Sequence, residues 1–184
     1  HCAGIHLNMV VAFPPGGMTP EALAGVTPEE GKDLADLGSF QAKETGYQQI
    51  QGTKPQTLGY GLADSPAGLA AWIVEKFRTW SDCGGDVEKR FTKDELLTNV
   101  MIYWITNSIT SSTRLYYETM KSGRFGPSTD RVEQPTAGAI FPKELYRAPR
   151  ALAEKTFNIQ QWTRMPSGGH FAALEEPVRL VEDV

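Results

Sequence analysis

The stretch Ser167-Gly168-Gly169-His170-Phe171-Ala172-Ala173-Leu174-Glu175-Glu176-Pro177 delivers one histidine on two glycines, and an apolar, helix-starting run follows it at once. Glycine tolerates the tight backbone bends that aim a single side chain into a cleft. Imidazole as a group titrates near neutrality, which suits it to general-base chemistry. A histidine in a surface turn has by default no chemical role, so this reading depends on what surrounds it. Residues 158–165 are strand-like and lead straight into the histidine loop. From Pro177 to Val184 the chain is helical.

Working outward, Pro135-Thr136-Ala137-Gly138-Ala139-Ile140-Phe141-Pro142 has the character of a buried strand, with Lys143-Glu144 directly after it. Pro149 to Lys155 then forms a short helix, and Gly123 to Gln134, before the strand, is a polar loop. At the other end, His1 to Val11 is a short strand-like run that stops at Phe13-Pro14-Pro15-Gly16-Gly17. His1 and His6 are unsuited to sharing a metal, because on a strand they point to opposite faces.

The intervening chain is mainly helical. Residues 18–46 are polar and helical, with Thr27-Pro28-Glu29-Glu30 supplying an N-cap, a first-turn proline and early acids. The segment from Tyr47 to Pro55 breaks the pattern as a glutamine-rich loop headed by a half-buried tyrosine. Asp64-Ser65-Pro66 opens the clearest helix, and Leu69, Trp72, Ile73, Phe77 and Trp80 follow at helical spacing as one core-packing face. Cys83-Gly84-Gly85-Asp86 is a turn. Thr92-Lys93-Asp94-Glu95 is a capping box for a helix carrying Leu96, Leu97, Val100, Met101 and Trp104. A further helix over Ser111–Lys121 carries Arg114, Tyr116 and Tyr117 and ends before Gly123.

Strand-helix alternation predicts an α/β fold with a parallel sheet. The predicted organisation is a core strand in residues 1–12, an inserted helical lid over 13–134, and the C-terminal part of the sheet over 135–184. Three strands cover themselves poorly, and the chain starts on His1 directly ahead of a strand. Both observations imply continuation of a longer polypeptide.

The bulk properties exclude several classes. The chain has 184 residues, 40% hydrophobic and 22% charged, with a formal net charge of -4. An acidic balance argues against nucleic acid or an anionic membrane surface as partner. There is no run of the roughly 18 apolar residues that a membrane-spanning helix requires. Cys2 and Cys83 are neither paired in a CxxC nor near a histidine pair, so a reducing, cytoplasmic setting is expected and a zinc site is not.

Open α/β sheets place ligands beyond the carboxyl ends of their strands. Glu144 follows one such end and His170 the next, in the chain order of acid before histidine found in α/β-hydrolase triads. An isolated surface acid is usually solvated; its place ahead of His170 gives Glu144 a role in holding the imidazole tautomer.

The chain resembles the C-terminal part of an epoxide hydrolase of the microsomal type, an α/β-hydrolase subgroup. The matching blocks are Gly4-Ile5-His6-Leu7-Asn8-Met9, Glu44-Thr45-Gly46-Tyr47, Gln51-Gly52-Thr53-Lys54-Pro55-Gln56-Thr57 and Asp64 to Ile73. Ser111-Ser112-Thr113-Arg114-Leu115-Tyr116, Phe141-Pro142-Lys143-Glu144 and Gly168 to Glu175 complete the series in order.

This resemblance implies that His170 is the general base, Glu144 its charge-relay acid, and Tyr47 and Tyr116 the phenols that hydrogen-bond the epoxide oxygen. Tyr117 is the alternative to Tyr116, because helix neighbours point about 100° apart and only one can face a given cleft. A carboxylate opens the ring as an ester, and water activated by the histidine releases a diol. The family's Gly-Gly-Asp-Trp-Gly nucleophile elbow and His-Gly-Trp-Pro-Gly oxyanion segment do not occur here. The nucleophile is thus expected on an N-terminal half, from the same precursor or a separate chain.

The implied substrate is a small apolar epoxide, and the mechanism calls for no metal or organic cofactor. A homo-oligomer is compatible with the sequence. A dehalogenase or esterase of the same superfamily is the alternative enzyme, although a halide leaving group would more naturally meet Trp or Asn donors than two tyrosines. A noncatalytic binding module derived from a hydrolase is the alternative outside enzymes.

Overall fold

A computed structural model describes residues 1–13, 17–123 and 130–184. The expected stop at Pro14-Pro15-Gly16 and the middle of the expected loop from Gly123 to Gln134 lie outside the described residues. The chain divides into two compact units. One comprises His1–Gln41, Trp80–Asp82 and Pro127–Val184, the other Ala42–Thr79 and Cys83–Gly126.

The first unit is α/β. Its strands are β1 (Ile5–Leu7), β2 (Val132–Ile140) and β3 (Phe157–Arg164), all parallel, in the order β1-β2-β3. β2 starts at Val132 rather than Pro135, inside the expected loop. Proline lacks a ladder donor, and the register shifts between Val132 and Pro135, so the strand passes Pro135 through an irregularity. β1 is far shorter than the apolar run that contains it. Val10 and Ala12, beyond its end, are nevertheless buried in a cluster with Ile140, Tyr146, Ala148 and Ala153.

Helix α1 (Pro28–Lys43) opens on Thr27. The Glu30 amide donates to Thr27 Oγ1 at 3.3 Å, while Glu30 Oε2 accepts from the Thr27 amide at 2.9 Å. This reciprocal cap sets the start of the helix at Pro28, and residues 18–27 are turns and extended chain rather than helix. The sequence reading drew α1 inside the helical lid, whereas most of it clusters with the sheet. Leu37 packs against the sheet's hydrophobic cluster, and ion pairs and a hydrogen bond add to it. Arg147 Nε meets Asp33 Oδ1 at 2.7 Å, Arg147 Nη2 meets Asp36 Oδ2 at 2.8 Å, and the Arg150 amide donates to Glu30 Oε1 at 2.8 Å.

The second unit is helical: α2 (Gly46–Thr53), α3 (Pro55–Asp64), α4 (Pro66–Trp80, whose last residue clusters with the first unit), α5 (Lys93–Thr106) and α6 (Ile109–Lys121). The segment expected as a glutamine-rich loop is α2 and the start of α3. Its helix comes from packing rather than propensity: Gln51 and Gly52 are buried, and a Cβ on Gly52 would stand 2.1 Å from Met120 Sδ. The caps match the sequence, with Ser65 Oγ accepting from the Gly68 amide at 3.0 Å and Thr92 and Glu95 forming a capping box. Asn107 closes α5 in the left-handed region at φ 49. Leu62, Leu69, Val100 and Ile109 form the core of the unit, while Leu97 and Met101 face solvent.

The first unit ends with α7 (Arg150–Thr156) before β3, then α8 (Ala172–Glu175) and α9 (Pro177–Asp183). Among the described residues, no helix is long and apolar enough to cross a membrane.

Candidate active site

Parallel strands send their carboxyl ends to one side of a sheet. β2 and β3 therefore release the chain toward the same edge, β2 into the Glu144 loop and β3 into the His170 loop. The two loops are stitched together: the Met165 amide donates to the Ile140 carbonyl at 2.9 Å, the Lys143 amide donates to the Gly168 carbonyl at 3.0 Å, and Lys143 and Gly169 form a parallel bridge. Gly168 makes this possible at φ +104, a conformation that suits glycine.

The stitching places His170 Nδ1 2.7 Å from Glu144 Oε1. The Glu144 side chain is 1% exposed and that of His170 27%, so the acid is enclosed and the imidazole reaches outward. Glu144 Oε1 also accepts the Leu145 amide at 2.6 Å. Its other oxygen, Oε2, is buried with no hydrogen-bond partner among the described residues. The Glu144 carbonyl accepts from Arg147 Nη1 at 2.7 Å, which ties the acid loop to the α1 ion pairs. Such an acid fixes which imidazole nitrogen carries the proton and balances positive charge on the ring.

Tyr47 on α2 and Tyr116 on α6 meet edge to face, ring centroids 5.9 Å apart. Tyr117 points elsewhere, under the Lys121 ammonium at 5.5 Å. Gln48 Nε2 donates to the Tyr47 hydroxyl at 2.9 Å, and Lys76 Nζ lies 4.9 Å from the Tyr47 ring centre. Burial holds the Tyr47 phenol above the ordinary tyrosine range despite the Gln48 bond, with Tyr116 adding to the rise. Burial also raises Tyr116, against the lowering effect of bonds from Gln51 and Tyr47. Both phenols therefore keep their protons and can donate them. Beside Tyr116 lies a cavity of about 260 Å³, lined also by Leu115, Thr119 and Met120.

The acid-histidine pair lies in the first unit and the phenol pair in the second. His6 makes another acid pair, Nε2 to Asp183 Oδ2 at 2.8 Å, but it joins β1 to α9. His1 takes no part in it. Among the described residues, no group of three or more His, Cys, Asp or Glu could hold a metal ion.

No family model matches the chain. It is 42% identical over 206 residues to epoxide hydrolase 1 of Sus scrofa, covering 100% of this chain and 45% of that protein. The crystal structure of juvenile hormone epoxide hydrolase from the silkworm Bombyx mori superposes with a TM-score of 0.86 at 34% identity, over 98% of this chain and 47% of that one. The chain matches part of an epoxide hydrolase along its whole length. Its relatives include juvenile hormone epoxide hydrolase 2 of Ctenocephalides felis, 50% identical over 77% of this chain and 32% of that protein. The chain spans less than half the length of the curated relatives it matches. The likeness gives its sheet and helices the α/β-hydrolase fold.

Sequence reasoning overlooked several residues around His170 and Glu144. Trp80 reads as the last member of a core stripe, yet its ring stands edge-on to His170 at 5.3 Å and its carbonyl accepts the His170 amide at 2.9 Å. Asp82 and Arg147 lie in none of the matched blocks, and Glu175 ends one without having been read as functional. The available signal was weak: Glu175 is an acid that the helical period would bury beside Ala172.

Proposed function

We propose that this chain supplies the base, the relay acid and the proton donors of an epoxide hydrolase, converting an epoxide and water to a vicinal diol. Tyr47 and Tyr116 donate hydrogen bonds to the epoxide oxygen and stabilise the alkoxide as the ring opens. The attacking carboxylate is carried by polypeptide beyond these residues and forms an ester with one ring carbon. His170, with Nδ1 held by Glu144, takes a proton from water at its other ring nitrogen; the resulting hydroxide cleaves the ester. The substrate is an apolar epoxide, consistent with the Leu115 and Met120 lining beside Tyr116.

The observation that carries the reading is the 2.7 Å contact between His170 and the enclosed Glu144. The paired phenols favour an epoxide over a halide or an ordinary ester. The test is diol formation from styrene oxide by the complete polypeptide that carries this chain. His170→Gln should abolish turnover while leaving a covalent adduct visible by intact mass. Full diol production by that variant would defeat the assignment.

A further inference from the structure

The histidine loop is held by more than its ring. Besides the His170 amide on the Trp80 carbonyl, the Gly168 amide donates to Asp82 Oδ2 at 3.1 Å. The Asp82 amide donates in turn to Glu175 Oε2 at 2.7 Å, and Glu175 Oε1 accepts the Phe171 amide at 3.1 Å. One buried carboxylate thus grips both the Trp80–Asp82 turn and the residue that follows His170. Glu175 is 8% exposed. Gly169 lets the two segments touch, since a Cβ there would stand 2.6 Å from the Trp80 carbonyl oxygen.

We propose that Glu175 is a positioning residue for His170, its carboxylate bolting the histidine loop to the Trp80–Asp82 turn so that the imidazole is aimed at the ester-cleaving water. This inference rests on the reading of His170 as general base. The loop has little stiffness of its own, because two of the three residues before Phe171 are glycines and resist displacement weakly. Its placement is set by what its amides bond to. Bonds from amides to a buried carboxylate are stronger than neutral ones, and both part-buried amides, those of Asp82 and Phe171, donate to Glu175, so removing its charge weakens the hold on both segments. Glu176, the next residue, serves the far end of the loop, accepting Ser167 Oγ at 2.6 Å and Arg179 Nε at 3.1 Å.

Glu175→Gln and Glu175→Asp in the complete polypeptide test this by steady-state kinetics on styrene oxide together with amide hydrogen exchange. The histidine acts only after the ester has formed. A misaimed base therefore slows ester cleavage without slowing ring opening. In Glu175→Gln, kcat and KM should fall together by about 10-fold or more, with kcat/KM nearly unchanged and ester accumulating. Glu175→Asp keeps the charge and both acceptors and should lose only about threefold. An unchanged kcat, or a fall in kcat/KM matching that in kcat, overturns the proposal.

If Glu175→Gln does not fold, Glu175→Asp decides alone: the parallel fall in kcat and KM supports positioning, and wild-type kinetics overturn it. If the unmodified protein forms no diol, the epoxide reading fails by itself. Exchange of the His170 and Phe171 amides then judges the bolt, expected about 10-fold faster in the variants, with unchanged exchange overturning it.

Discussion

Glu144 Oε1 accepts from its neighbour's amide, Leu145, at 2.6 Å and faces His170 Nδ1 at 2.7 Å. One buried oxygen is therefore fixed by the backbone and fixes the imidazole in turn. Replacing Glu144 by Gln keeps the shape but removes the charge that balances a protonated ring. Turnover is expected to fall about 10²- to 10⁴-fold, the usual range for general-base assistance. Rapid-quench detection of the accumulating ester checks it.

The phenol pair should act earlier, in ring opening. Tyr47→Phe or Tyr116→Phe alone should lower kcat/KM about 10²-fold, the typical loss for one donor to a developing oxyanion. The double variant should lose more than either. Because burial raises both phenols, activity that depends on their protons should persist up to and beyond the ordinary tyrosine range near pH 10. A pH profile of single-turnover ring opening measures this.

Arg147 is the hinge of the charged network beneath the acid loop, with its side chain 9% exposed against Asp33 at 12%. Truncation to Ala takes from Asp33 its 2.7 Å partner, leaving it the longer 3.5 Å contact with Arg164, and frees the Glu144 carbonyl from its donor. Breaking a pair this buried costs about 3–5 kcal/mol. Chemical denaturation should show a fall of that size. Arg164→Ala, whose nearest partner Glu29 is 70% exposed, should cost far less by the same measurement.

Tyr146 is buried, stacks on Phe13 at 5.0 Å and donates its hydroxyl to the Ala12 carbonyl. Burial pushes its phenol up to about 12. The native state therefore keeps this proton where the unfolded chain, near 10, releases it. The associated stability is complete below pH 10 and is lost as pH rises toward 12, about 3 kcal/mol for a shift of that size. Denaturant titrations at pH 8 and 11 should show a drop in the parent protein that is smaller in Tyr146→Phe.

Much of the candidate site was legible because its signals are local. The glycines before His170, the acid after β2 and the strand periodicity of residues 158–165 each depend on residues within a few positions of one another. So do the caps at Thr27, Ser65 and Thr92, where a side chain satisfies an amide three residues away. The choice of Tyr116 over Tyr117 came from motif likeness, and the structure turns Tyr116 toward Tyr47. The α2 segment was missed for the opposite reason, since its helix is stabilised by Met120 from a distant part of the chain.

The sequence by itself determined the parallel α/β class, the capped helix starts at Pro28, Pro66 and Lys93 and the order of acid and histidine, because these follow from backbone sterics and short-range periodicity. Only the tertiary structure decided that α1 joins the sheet, that Trp80 and Asp82 turn back onto the His170 loop, and that Glu175 holds them there. Those arrangements depend on buried carboxylates finding amides and guanidinium groups far away in sequence. Which acid is buried, and against what, is a property of the assembled packing that no single stretch of residues encodes.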